Sequence, residues 1–170
     1  KALNENKIST LDVFIYKEGE DACAHYQRIV PVDGMTRYGI SKNRSAFAEN
    51  TGYSVYVVAN AGTAAAGAMS LAELKAAVVA QALNPDAVQT DLLMDGKSIA
   101  TVLNDGTKAN KNIDVSLKRG VAKIRVNLSY GADYQPAGQV TKKLVNYASD
   151  ARVLETGDVH MPALATTASY

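Results

Sequence analysis

The side chains best suited to chemistry in this 170-residue chain are one cysteine, Cys23, and two histidines, His25 and His160. Cys23 and His25 lie two residues apart. On a regular strand they share a face, the minimum arrangement for a thiol and its base. No oxyanion-forming glycine motif accompanies them, and a lone cysteine is more often a small buried hydrophobe. A zinc site needs several converging ligands, and neither histidine has a His-x-x-x-His or Cys-x-x-Cys companion. The stretch from Ala61 to Ala68 carries Gly62 and Gly67 in a position where phosphate loops sit. It lacks both the Gly-Lys-Ser/Thr ending and Gly-x-Gly-x-x-Gly, so it reads as a flexible strand-to-helix connector. The acidic groups Glu18 to Asp21 and Asp91 to Asp95 are too short for an EF-hand loop and read as solvated turns. Lys118, Arg119, Lys123 and Arg125 alternate with apolar residues, as on the wet face of a half-buried strand. No catalytic residue, metal site or cofactor is expected, and the chain reads as a non-enzyme.

Composition narrows the remaining classes. Hydrophobic residues make up 47% and charged residues 21%, the balance of an ordinary globular chain. A chain of this length buries enough apolar surface for an unstapled core, and one cysteine permits no internal disulfide. Lys and Arg number 18 against 17 Asp and Glu, a net charge of +1 without the basic stripe that nucleic acid demands. Nine tyrosines and no tryptophan suit core edges and surface contacts, where the ring packs and the hydroxyl stays wet. The chain opens at Lys1 with neither Met nor a signal peptide, so a mature form or fragment is expected. Its apolar runs are too short to span a bilayer.

The elements that must position these residues are mostly strands. Residues 8–16 alternate, with Leu11, Val13 and Ile15 on one face and Asp12, Phe14 and Tyr16 on the other. A second strand runs through Tyr26 and Arg28 to Pro31, and residues 35–50 read as a long connection. Residues 52–60 form the clearest strand, apolar on both faces and therefore central. Ser70-x-x-Glu73 has the spacing of a capping box and opens a helix expected over about 70–83, with Leu71, Leu74 and Val78 on one stripe. Asp95-Gly96 and Asp105-Gly106 read as turns separating short strands, the second closing a hairpin onto a strand from Ile113. Residues 121–128 alternate strictly, with Ala122, Ile124, Val126 and Leu128 opposite Lys123, Arg125 and Asn127. Gly120 before them suggests a bulge. Residues 139–154 fit either a helical stripe or two short strands. About seven strands with one inserted helix point to a mainly β, antiparallel sandwich.

Three stretches in order resemble the fimbrillin and minor-fimbrillin-like families of Bacteroidetes. They are Tyr53 to Gly62, Leu93-Met-Asp-Gly96, and Val115-Ser-Leu-Lys-Arg-Gly-Val-Ala-Lys-Ile124, supported by the opening strand Leu11 to Tyr16. The resemblance covers about residues 8–155, and Gly120 departs from it where a larger apolar residue is usual. It implies a transthyretin-like β-sandwich N-terminal domain over 1–155, with 156–170 a linker or the start of a second domain. It also implies a subunit or accessory adhesin of surface fimbriae, made as an exported, lipid-anchored precursor of the outer membrane. The implied partners are other fimbrial subunits and, in adhesion, a host or bacterial surface protein or glycan. Subunits of this kind join by strand exchange, because an open groove exposes core and unpaired backbone that an added strand satisfies. Leu11, Val13 and Ile15, with Ile124, Val126 and Leu128, are the positions expected to line such a groove. The alternative is a glycan- or protein-binding β-sandwich surface lipoprotein that uses exposed tyrosines as sugar platforms.

Overall fold

The computed structural model describes residues 7–80, 91–107, 110–120, 129, 131–133, 138, 143–148, 150–155 and 164–169. In chain order the elements are β1 (Leu11–Lys17), β2 (Cys23–Ile29), a 3-10 turn (Arg44–Ala46), β3 (Gly52–Ala59), α1 (Leu71–Ala76) and β4 (Val78–Ala80). They continue with β5 (Met94–Lys97), β6 (Thr101–Val102), β7 (Lys118–Arg119), β8 (Lys143–Ala148), β9 (Asp150–Arg152) and β10 (Leu164–Ser169). Every described pairing is antiparallel and the described residues hold one short α-helix, so the chain is mainly β and consistent with a sandwich, as the pattern predicts.

The main sheet has the order β2-β1-β3-β5-β7, with β6 also paired to β3. The alternation in β1 is realised on both sides. Phe14 and Tyr16 pack with Tyr56, Val58, Ala61, Ala65, Leu74, Leu93, Val153 and Leu154 under α1. On the opposite face Val13 and Ile15 meet Phe47, Tyr53, Val55 and Leu103, and Leu11 meets Ala59 and Met94. Each such side chain contributes about 1.5–3 kcal/mol by leaving water. β3 is central, as its two-faced apolar pattern requires. Two smaller ladders pair β4 with β9 and β8 with β10, which resolves residues 143–148 and 150–152 as strands rather than helix.

Four expectations change. The helix stops at Ala76, short of residue 83: the capping box forms as predicted, but Ala77 is extended (ψ 136°), and Val78 and Val79 pair with Arg152 and Ala151. β-branched residues prefer that ladder to a helical turn, so Val78 leaves the apolar stripe. Residues 81–83 lie outside the described residues, as do 121–128. The connector after β3 is not a loose tether, since Ala61 and Ala65 are core residues. The run from Ile113 is strand only at Lys118–Arg119, so no hairpin closes across Asp105-Gly106 there. Asp95-Gly96 is no turn but the middle of β5, paired with Val58 and Val57. Gly96 is small because another backbone crosses it: a Cβ there would lie 2.4 Å from the Ser116 carbonyl oxygen and 2.9 Å from Val115 Cγ1.

Gly96→Ala is therefore predicted to lower stability by about 1–3 kcal/mol through overpacking against a backbone that cannot yield. Gly39→Ala, which meets nothing within 4 Å, serves as the control, and urea midpoints compare the two.

Candidate functional site

The ladder between β1 and β2 decides what Cys23 and His25 can do. Tyr26 pairs with Phe14 and His25 with Ile15, but Cys23 pairs with Tyr16, so Ala24 is the extra residue of a bulge. Ile15 and Tyr16 point to opposite faces, and the bulge therefore puts Cys23 and His25 on opposite faces rather than on one. Cys23 packs in the α1-side core, its thiol donating to the His25 carbonyl oxygen at 3.1 Å. Burial pushes the thiol pKa up, away from the thiolate that a nucleophile requires. Among the described residues no three His, Cys, Asp or Glu side chains gather as metal ligands.

The most demanding electrostatic site was missed in the sequence, where Asp12 counted only as the polar side of an alternating strand. Asp12 is fully buried. Its carboxylate accepts from Arg28 Nε at 2.8 Å and Arg28 Nη2 at 2.9 Å, and from the Tyr26 hydroxyl at 2.7 Å. Arg28 also donates to the Gly62 carbonyl oxygen in the turn after β3. The Asp12 carboxylate hydrogen-bonded to it raises the Arg28 pKa, and burial raises that of Tyr26. A second clasp centres on Asn60, whose backbone is left-handed (φ 62°). Its side-chain oxygen accepts from Ser9 N at 2.8 Å, and its amide donates to Leu92 O at 2.9 Å and Lys7 O at 3.0 Å. The Asn-Ala-Gly sequence after a strand was the only available signal for it.

The acidic turn is likewise structural. Asp21 accepts from Leu71 N through its carbonyl and from Ala72 N through its carboxylate, both at 2.8 Å, tying the β1–β2 turn to the start of α1. A shallow cavity of ≈270 Å³ opens there beside Lys17, Glu18, Asp21, Tyr56 and Lys97. Its charged groups are engaged within the chain: Lys17 with Glu20 at 2.5 Å, Glu18 with the Ser54 hydroxyl, and Lys97 over the Tyr56 ring at 5.2 Å. Burial raises the Asp95 pKa, and its carboxylate accepts from Glu155 N at 3.0 Å.

Leu11, Val13 and Ile15 are buried on the face opposite α1, and both backbone edges of β1 are occupied, by β2 and by β3. Ile124, Val126 and Leu128 lie outside the described residues. Irregular chain roofs the β1 side chains: Phe47, packed with Val13 and Ile15, stacks edge-on against Tyr53 at 5.1 Å, and Gln27 donates to Gly39 O and accepts from Ser41 N. Tyr16, Tyr53 and Tyr56 are buried, and Tyr26 and Tyr38 are half-buried with their hydroxyls bonded within the chain. None of these five tyrosines therefore stands out as a sugar platform. What remains open is an edge. β2 ends the main sheet, and no described segment pairs with its outer side. It runs into a segment whose Val30, Val32 and Met35 are 75%, 63% and 53% exposed.

A family model described as the major fimbrial subunit protein (FimA) matches residues 1–149. Among solved structures, a fimbrial assembly protein from Parabacteroides distasonis ATCC 8503 matches with a TM-score of 0.65 at 17% identity, over 99% of this chain and 70% of that one. That likeness establishes the fold. A candidate cell adhesion protein from Bacteroides eggerthii DSM 20697 is 27% identical over 65% of this chain and 33% of its own, with a TM-score of 0.44. No curated protein sequence matches significantly.

Two predictions follow from the buried groups. Arg28→Met strands the Asp12 carboxylate in the core and costs about 3–5 kcal/mol. Asp12→Asn costs less, because the Arg28 side chain is already 33% exposed and can turn to water; denaturant melts of the two variants give the order. Cys23 is predicted to react with a thiol reagent at neutral pH at least about tenfold faster after unfolding in urea than in the native chain.

Proposed function

The chain belongs to the major fimbrial subunit family, and from that premise we propose that it joins neighbouring subunits by strand exchange. Its role is structural or adhesive, and its place is in fimbriae at the cell surface. The family match carries this reading, and the geometry supports the mechanism. Both faces of the central strands are packed and the charged groups of the cavity beside Lys17 are bonded within the chain, which supports partners being met through backbone edges and core grooves. In this reading the incoming strand displaces the irregular segment around Phe47 that covers Val13 and Ile15, and Leu11, Val13 and Ile15 form the apolar floor beneath it. With both edges of β1 occupied, they contribute side-chain packing rather than backbone pairing. Ile124, Val126 and Leu128 supply the alternating apolar positions beside it. Residues 1–155 then act as the N-terminal domain and 156–170 lead into the next part of the subunit. The precursor is held at the outer membrane by a lipid anchor. Contact with a host or bacterial surface protein or glycan belongs to the assembled fimbria, and no catalytic step is assigned to the chain. Support for that last point is the separation of Cys23 from His25 and the raised thiol pKa.

Polymers formed by strand exchange resist SDS without heating, because the donated strand is part of the partner's core. The matured native subunit is predicted to give an SDS-resistant ladder that Val126→Asp removes and Lys123→Ala retains, with thermal melts verifying folded monomers. A ladder unchanged by Val126→Asp in a folded chain overturns the groove assignment. Immunogold labelling of native cells with an antibody to this chain should decorate surface fimbriae; label confined to the cytosol overturns the assignment to fimbriae.

A further inference from the structure

The face of β1 and β3 turned away from α1 is closed over residues 38–50 by chain that forms no strand. Two aromatic side chains of that segment reach the sheet. Tyr38 packs against the cluster of Leu11, Ala59 and Met94, and Phe47, 7% exposed, packs with Val13, Ile15, Tyr53 and Val55. Residues 39–43, 45, 46 and 48–50 are exposed. The backbone of the segment is held largely by side chains of the body it covers. Gln27 pairs with Val13 and so shares its face; its Nε2 donates to Gly39 O at 3.2 Å and its Oε1 accepts from Ser41 N at 2.9 Å. A side-chain amide offers the same donor and acceptor as a peptide group, so this fork holds backbone whatever its sequence. Tyr53 Oη accepts from Ala48 N at 2.9 Å. Asn104 Nδ2 donates to Phe47 O at 2.9 Å, and Asn104 O accepts from Asn50 N at 2.8 Å. The closed face is not a fully satisfied interior. His25 pairs with Ile15 on it, and His25 Nε2 is buried with no hydrogen-bond partner among the described residues.

We infer that residues 38–50 are a strap that opens as a unit while the sheet stays folded, and so sets how fast the face beneath accepts a neighbour's strand. The inference rests on the strand-exchange reading for what enters, and adds what holds the entrance shut. Opening breaks the two aromatic contacts and the bonds to Gln27, Tyr53 and Asn104. Exposing the same face by unfolding would also part β1 from β2 and β3, so the strap is the lower route. The strap leaves before the strand enters, and the rate of exchange is then the open fraction multiplied by the rate of entry.

Native-state hydrogen exchange of the full chain tests it. The Ser41, Ala48 and Asn50 amides should exchange through one opening with a shallow urea dependence, separate from the steep global unfolding that exposes β1 and β3. Gln27→Ala removes two hydrogen bonds and should speed all three amides about tenfold, including Ala48 and Asn50, which Gln27 does not hold. The same factor should appear in the rate at which the SDS-resistant ladder forms. Tyr38→Ala, which removes an aromatic anchor, should act in the same direction, and melting curves verify that both variants fold. Strap amides that open only with global unfolding overturn the inference, as does a Gln27→Ala chain in which Ser41 alone speeds up. A ladder that forms at the wild-type rate while the strap opens faster overturns its control over entry. Absence of a ladder from wild type and variants overturns strand exchange instead, and the exchange rates still decide whether the strap opens as a unit.

Discussion

A carboxylate with no solvent exposure sits in the middle of the first strand, and the arrangement of the sheet follows from the need to satisfy it. Asp12 is tolerable only where Arg28 and Tyr26 stand opposite on β2, and only in that register. A slip of one residue would turn Arg28 to the far face, leave the carboxylate alone in the core, and move every apolar side chain of β2 to the wrong side. Well-packed apolar residues could equally fill the space, so stability alone does not explain the pair. Its physical consequence is specificity, because many apolar registers are nearly equivalent and only one satisfies this charge. Arg28 extends the same constraint to the Gly62 carbonyl, and thereby to the connector whose Ala61 and Ala65 close the core under α1.

Asn60 does for the other end of β3 what Asp12 does for β1. Its side chain reaches the backbone at Lys7, Ser9 and Leu92, fixing the entry to β1 and the approach to β5 around the end of the central strand. In both clasps one polar side chain holds segments more than thirty residues apart in sequence. That is how a chain without disulfides secures a sheet whose neighbours are distant along the chain.

The strands were legible where alternation or two-faced apolarity is strong, as in β1 and β3, and the capping box marked the start of α1 correctly. What sequence missed depends on tertiary contacts. Gly96 looked like a turn residue because Asp-Gly usually is one; its actual constraint is the Ser116 backbone crossing it, which leaves no local trace. The helix was read too long because Val78 fits a helical stripe, and only its pairing with Arg152 reveals the ladder that captures it. Cys23 and His25 looked like a pair because two-residue spacing means one face, and a bulge at an unremarkable alanine reverses that. Asp12, Asp21 and Asn60 were invisible as structural groups because their partners lie far away in sequence. The family resemblance succeeded where site reading did not, since it rests on several stretches in order rather than on one local spacing.

The distribution of closed faces and open edges also explains why chemistry is hard to place on this chain. Catalysis needs a concave, partly dry site with groups left unsatisfied for the substrate. Here β1 and β3 are packed on both sides, and the polar groups that converge do so on one another: Asp12 with Arg28, Glu18 with Ser54, Asp21 with the α1 amides. A carboxylate already holding three donors has little capacity left for a ligand. The unsatisfied groups of a sheet lie along its edge strands, where every second residue presents backbone to the outside. A fold that spends its described side-chain polarity on internal clasps leaves the backbone of its edge strands as the groups still open to a partner.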